Sequence, residues 1–494
     1  MRKTKGLKAE EISFLIVLTF FFLIIRALQL RFFHYLVWDE SVYVSMGKYL
    51  FSNGAIGLWE PFRPITWPVI LGLAWFYKLD TIKTGVILQS IFGVLSLWLL
   101  FLLGKKLFNT KVAYGSTLVL AVCPLFFFYS NTLFAGLFSS FLMLLAVYLF
   151  FSRKYLVSGI TAGLAFLSRF PQGLLFFGLL ISLVTERKKN KKLLYIASFV
   201  TGFLLVLAPF LAFNFIEYKN KVGAVTALIY PFIEGIQHQN NVFETLAYKG
   251  INNKFYEGFF YFIELIKICY LFAFLPIGII LLVFENKKVH RILLLVLLLY
   301  LGYFTYIPNK QIRFAVSFLP LACLITGFGY FETYKRTTSL IGKWKIQTVV
   351  LWLIFLLLVS NSILKDKQLY YWHPISEPAI VKEFYKYFCN NSTKAKIITT
   401  DPVPSGYCDN SYIPVYFYPP FTRVFKELNS ALSNRENKYL IFDLVAYPCF
   451  KSDLKCFKTR NKLIELVKKN QLVFNKTYNN KKYYIYLINH SANK

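Results

Sequence analysis

A series of long apolar runs, separated by short basic clusters, constrains this chain more than any other feature. About 20 apolar residues suffice for a helix to cross a bilayer. Runs of that kind fall at 12–30, 84–104, 112–129, 132–151, 193–214, 259–284, 291–307, 313–331 and 346–364. The apolar stretch 155–185 is interrupted by Ser168-Arg169-Phe170-Pro171. It reads as two short helices, 155–168 and 171–185, meeting at Arg169. The expected fold class is therefore an α-helical multi-pass membrane protein with about eleven spans. Composition agrees: 56% of the 494 residues are hydrophobic and 16% are charged, against about 25% charged in soluble domains. A cytosolic enzyme and a disordered chain are both excluded.

The net charge of +32 first points to nucleic acid. The placement of the charge points elsewhere. Much of it sits between apolar runs, as membrane orientation demands. The clusters are the N-terminus, Lys105 to Lys111, Arg153-Lys154, Arg187 to Lys192, Lys287 to Arg291 and Lys335 to Lys345. With a cytoplasmic N-terminus and eleven spans, all of them fall inside. The C-terminus then falls outside, so the expected location is the cell membrane with an extracytoplasmic C-terminal domain. Anionic lipids are expected partners and nucleic acid is not.

The same parity organises the rest. Ile65–Leu79 is apolar but short, and is placed on the outer surface within a loop 31–83. A second outer loop covers 215–256. The membrane domain is then 1–364, and 365–494 is an extracytoplasmic domain. In that tail the pattern predicts a helix near 377–390 and strands at Lys396–Thr400 and Ile413–Tyr418. It also predicts a buried strand at Tyr439–Val445, a helix near 460–470 and a strand at Tyr483–Ile488. Alternating elements of this kind make a small α/β domain. Cys123, Cys269 and Cys323 lie in apolar runs, whereas Cys389, Cys408, Cys449 and Cys456 lie in the tail. Four cysteines in one polar region point to two disulfides on an oxidising side. Three connectivities are possible; the simplest pairs Cys449 with Cys456 across its short loop and Cys389 with Cys408.

Asp39-Glu40 opens a predicted surface helix, Asp39 to Gly54, with Asp39 as its N-cap and Asn53-Gly54 as its stop. Carboxylates at the rim of a lipid-embedded bundle are costly without a partner or a task. The plainer account is a cap and a favourable dipole contact. Arg63 follows in Glu60-Pro61-Phe62-Arg63-Pro64, and Arg suits bidentate phosphate contacts. Lys310 and Arg313 are spaced i,i+3 ahead of another span, and Arg169 lies at the joint of the two short helices. The same four cations could instead snorkel to the interface. Together they form a cationic cradle beside a carboxylate pair. Such a site suits a lipid-tethered phosphate leaving group and an acceptor hydroxyl that must lose its proton.

The order of these elements resembles the class C glycosyltransferases, in the superfamily of dolichyl-phosphate-mannose protein mannosyltransferases and aminoarabinose transferases. The resemblance rests on Trp38-Asp39-Glu40 with Tyr43, Arg63-Pro64, and Gly104-Lys105-Lys106-Leu107-Phe108. It continues through Ser168-Arg169-Phe170-Pro171 and Lys310-x-x-Arg313-Phe314, and covers about residues 10–365. It implies sugar transfer from a polyprenyl-phosphate donor, mannose-like by preference, to a glycan, lipid or protein acceptor. It assigns Asp39 as general base with Glu40 in support. Tyr43, Arg63, Arg169, Lys310 and Arg313 become substrate-binding residues, and a single displacement inverts the anomeric carbon. Tyr129 to Gly136 carries no acid, so no second acid is assigned. No cofactor is expected, and a divalent metal is not indicated. The eukaryotic inserted lumenal domain has no counterpart, and the tail looks prokaryotic, in an archaeal manner.

The rival from another class is a transporter or flippase of lipid-linked sugars. It would place ionisable groups near mid-membrane. Glu264 and Lys267 are the candidates for that, and their i,i+3 spacing equally allows a simple pair. Glu234, Gln237, His238 and Gln239 read as solvated loop. Asp401 and Asp443 read as turn and capping residues.

Overall fold

In a computed structural model, the chain is described over residues 6–30, 36–185, 191–246, 254–307, 310–340, 389, 396–416, 421–443, 454–478 and 481–489. The expected span 346–364 and most of the tail helix near 377–390 lie outside these residues. Two compact units are present. One holds Met1–Phe32, Val86–Glu217 and Tyr248–His373; the other holds Phe33–Gly85, Tyr218–Ala247 and Pro374–Lys494.

The first unit is helical. Among the described residues, three helices in the chain are long and apolar enough to cross a membrane: Thr81–Leu107, Lys192–Val222 and Lys288–Tyr306. Shorter apolar helices include Ala135–Phe151, Tyr155–Ser168 and Tyr270–Glu285. Three expected spans are interrupted, one of them 313–331, where a 3₁₀ segment Ile312–Ser317 precedes the helix Leu319–Leu340. The run 112–129 divides into Thr110–Ala121 and Pro124–Tyr129. Pro124 has no N–H to continue the first helix, and its fixed φ starts the second. The run 259–284 breaks at Cys269, whose backbone is extended (φ −140°, ψ 107°). The joint at Arg169 is where the sequence placed it, also with extended backbone (φ −160°, ψ 115°). Glu264 accepts from Lys267 over 2.7 Å and from Tyr256, which is the simple pair.

The second unit holds a five-stranded sheet. Its strands are β1 (Lys396–Thr399), β2 (Ser411–Pro414), β3 (Asn437–Asp443), β4 (Gln471–Tyr478) and β5 (Lys481–Leu487). The order is β2-β1-β3-β5-β4. β1 runs parallel to β2 and β3, and β5 runs antiparallel to β3 and β4. The strand expected at Ile413–Tyr418 starts earlier and closes at Pro414. Edge strand β4 and the helix Phe421–Ser433 have no counterpart in the sequence reading. Gln471, Leu472, Asn475 and Lys476 of β4 are exposed and Val473 and Phe474 only partly buried, so no apolar alternation marks it.

Alternation along the strands gives the sheet two apolar faces. Ile398, Leu440, Phe442 and Tyr486 pack with Val424, Leu428 and Leu432 of Phe421–Ser433 and with Leu463 and Val467. Ile397, Ile441 and Ile485 pack instead with Val42, Met46 and Leu58. Those three residues come from segment 31–83, the loop the sequence reading placed outside. That loop contributes helix α2 (Trp38–Phe51) and helix α3 (Thr66–Phe76). α2 therefore covers one face of a sheet built more than 350 residues later. Segment 215–256 is helical over its described residues up to 246, since Lys192–Val222 continues past the expected end of its span and Ala224–Leu246 follows. Trp59 Nε1 donates to the Tyr218 hydroxyl over 2.6 Å, which ties segment 31–83 to segment 215–256.

Candidate functional site

α2 begins one residue earlier than its acidic pair. The N-cap is Val37, not Asp39. The Glu40 carboxylate accepts from the Val37 N–H over 2.9 Å, so Glu40 satisfies an orphan donor of its own helix. Glu40 is fully buried. Asp39 is thereby released from capping, and its side chain turns to Arg63. Asn53, in the left-handed region (φ 53°), follows the helix end as expected.

Arg63 is the hub of this site. Its Nη2 donates to Asp39 Oδ1 over 2.8 Å, and its Nε donates to Glu60 Oε2 over 2.7 Å. The guanidinium also lies 5.8 Å from the Tyr43 ring centroid and 5.5 Å from that of Phe62. Burial opposes the Arg63 charge. The Asp39 and Glu60 carboxylates more than offset it, and hold the guanidinium pKa well above its ordinary value. Glu60 is 1% exposed, and its second oxygen has no hydrogen-bond partner among the described residues. Sequence reasoning passed over Glu60. The signal was its i,i+3 spacing to Arg63 across Pro61.

The other three cations belong to the first unit. Arg169 Nη1 donates to Ser317 Oγ over 2.7 Å, and its guanidinium lies 5.3 Å from the Phe314 ring centroid. Arg313 lies 5.5 Å from that same ring and 5.5 Å from the ring of Phe134. Two guanidiniums thus share one aromatic residue, an arrangement that stabilises cations at low hydration. Behind them, Gln172 donates to Ser139 Oγ and to the Ser317 carbonyl, and accepts from the Tyr300 hydroxyl. Gln172 and Ser317 were not singled out in the sequence. A lone Gln or Ser carries no spacing signal.

Lys310 is held differently. Its ammonium donates to the carbonyls of Thr305, Ile307 and Phe304, where the helix Lys288–Tyr306 ends. Burial lowers its pKa, with Glu257 opposing. It acts as a C-terminal cap of that helix.

Cys389 and Cys408 form a disulfide. Cys123, Cys269 and Cys323 are free and buried. The expected Cys449–Cys456 pair lies outside the described residues. Asp401 accepts from the Val403 N–H over 2.9 Å, the turn role anticipated for it. Among the described residues, no group of three or more His, Cys, Asp or Glu side chains is placed to hold a metal ion.

Residues 65–213 match the dolichyl-phosphate-mannose-protein mannosyltransferase family. No curated protein matches the sequence significantly. Solved structures match the fold over most of the chain. An oligosaccharyltransferase of Archaeoglobus fulgidus, in complex with zinc and sulfate, superposes with a TM-score of 0.62 at 14% identity. It covers 87% of this chain and 68% of that one. The archaeal oligosaccharyltransferase AglB from the same organism, in complex with an inhibitory peptide and a dolichol-phosphate, gives 0.59 at 13% identity, with coverages of 96% and 74%. ArnT from Cupriavidus metallidurans, bound to undecaprenyl phosphate, gives 0.61 at 10% identity, with coverages of 97% and 99%. At these identities the likeness is one of fold.

Proposed function

We propose that this chain, whose fold is similar to those of ArnT and AglB and whose residues 65–213 match the mannosyltransferase family, transfers a sugar from a polyprenyl-phosphate donor to an acceptor hydroxyl. The reaction takes place at the outer membrane face, with an N-terminus inside and about eleven spans. A mannose-like hexose is the favoured sugar. One observation carries the reading: Asp39 is fixed at the head of α2 by the partly buried Arg63, 2.8 Å away, and not by capping.

Each group has a chemical task. Asp39 accepts the proton of the attacking hydroxyl. The acceptor oxygen bonds to the anomeric carbon as the bond from that carbon to the phosphate oxygen breaks. The electron pair leaves with polyprenyl phosphate, and a single displacement inverts the configuration. Arg63 orients Asp39 through their 2.8 Å ion pair. Arg169, Arg313 and Lys310 stabilise the negative charge that grows on the leaving phosphate. Glu40 supports the site indirectly by fixing the first turn of α2, and Tyr43 lines it beneath Arg63.

The test uses purified full-length protein with radiolabelled dolichyl-phosphate mannose. Wild type should release free dolichyl phosphate, and Asp39→Asn should not. A flippase would move the intact donor across a vesicle bilayer and release no free lipid phosphate. Donor transport without release would overturn the reading.

A further inference from the structure

Asp39 lies nine residues before Lys48 on α2. At 100° per residue those two side chains point to opposite sides of the helix, about 13 Å apart along its axis. The face that carries Lys48 also carries Ser41 and Ser45, and all three are buried. Lys48 and Ser41 meet one short stretch of the tail, residues 405–412.

That stretch grips segment 31–83 at four places. The Leu36 N–H, just ahead of α2, donates to the Tyr407 hydroxyl over 2.8 Å. Lys48 Nζ donates to the Gly406 carbonyl over 3.0 Å and pairs with Asp409 Oδ1 at 2.9 Å. The Gly57 N–H donates to the Asn410 carbonyl over 2.7 Å, and the Tyr412 N–H returns to the Gly57 carbonyl over 2.9 Å. Trp75 Nε1, on α3, donates to Asp409 Oδ2 over 3.1 Å. The approach is close at Gly406, where a Cβ would stand 2.7 Å from the Leu36 side chain and 3.1 Å from the Ser41 backbone. The Cys389–Cys408 disulfide anchors the same stretch.

Asp409 is the centre of this grip. It is about half exposed, yet it joins the buried Lys48 of α2 to Trp75 of α3. Asp39 sits on α2, and Arg63 lies in the connection between α2 and α3. Fixing both helices from behind therefore fixes the geometry of the base and its partner in front. We infer that Asp409 and Lys48 are positioning residues for the reaction: through them, segment 405–412 of the tail sets the orientation of Asp39. This rests on the proposed role of Asp39 as base.

The experiment compares full-length wild type, Asp409→Asn and Asp409→Glu in nanodiscs. Asp409 is exposed enough for either variant to fold. The first readout is hydrogen exchange of amides in 38–51. It should accelerate about tenfold in Asp409→Asn, with β3 unchanged, and return toward wild type in Asp409→Glu. The second readout is dolichyl-phosphate mannose turnover, with water as acceptor. In Asp409→Asn kcat should fall about tenfold and donor KM should stay within twofold. Asp409→Glu should recover most of kcat. Wild-type exchange in Asp409→Asn overturns the inference. So does faster exchange with unchanged kcat, which would leave the grip a structural lock only. If wild type itself does not turn the donor over, the glycosyltransferase reading falls, and the exchange rates alone decide whether segment 405–412 holds α2.

Discussion

Arg63 donates to Asp39 over 2.8 Å with one nitrogen while another nitrogen of the same guanidinium binds Glu60 over 2.7 Å. A planar fork can hold two carboxylates at a fixed angle; a point charge cannot. Asp39 is therefore oriented by a residue that is itself oriented by a buried acid. This chain of constraint separates Asp39 from Glu40, whose carboxylate is spent on its own helix.

Asp39→Asn should keep the fold and the donor affinity and lose turnover. Removal of a positioned base costs about 10²–10⁴-fold in rate. Single-turnover assays with bound donor measure this directly. A near wild-type rate would show that another group takes the proton.

Arg63 should not tolerate substitution. Arg63→Ala leaves Glu60 charged and buried without its partner, a loss of about 3–5 kcal/mol when a buried pair is broken. The double variant Arg63→Met with Glu60→Leu removes both charges and should regain much of that stability while staying inactive. Thermal melts in detergent, beside activity, separate the two effects. If Arg63→Ala melts like wild type, the buried ion pair contributes nothing.

Donor affinity should depend on Arg313. A charge-assisted contact contributes about 1.5–3 kcal/mol, so Arg313→Ala should weaken donor binding tenfold or more. Arg313→Lys should also lose affinity, because an ammonium replaces neither the fork nor the stacking on Phe134 and Phe314. Equilibrium binding of a fluorescent polyprenyl phosphate reads this. Unchanged affinity in both variants would reassign Arg313 to anchoring.

How much of this could be read from the sequence differs by the range of the interaction. The helix break at Arg169 and the surface helix after Trp38 are local, and their signals lie within a few residues. The alternation in Lys396–Thr399 marks a strand with two buried faces. What it cannot mark is which element covers each face. Val42 and Met46 fill the Ile397 side from more than 350 residues away, and periodicity gives a face without its partner. Arg63 was legible as a cation and not as an ion pair. Its partner Glu60 is three residues away, but only the folded turn shows that the guanidinium reaches back to Glu60 and across to Asp39.

The Cys389–Cys408 disulfide gives a test of topology. An impermeant thiol reagent applied to intact cells should label these two cysteines only after reduction. A cysteine introduced at position 189 should stay protected. Labelling at 189 would invert the orientation, whereas labelling of Cys389 and Cys408 without reductant would mean free thiols.

Gly57 should be the least replaceable residue of segment 31–83. Its φ is 94°, and a Cβ there would stand 2.2 Å from the Ser45 carbonyl and 2.9 Å from the Tyr49 nitrogen. Both contacts are backbone atoms of α2, so α2 itself would have to move. The backbone conformation alone costs about 1–3 kcal/mol in a residue with a side chain. Gly57→Ala should therefore lower the melting temperature by several degrees and reduce turnover with it. Gly57→Asn separates the two causes. Asn tolerates left-handed backbone better than Ala but brings the same Cβ, so it should be as damaging if the contact with α2 decides. Recovery in the Asn variant would place the cost in φ instead, and wild-type behaviour of both would show that α2 yields without consequence for Asp39.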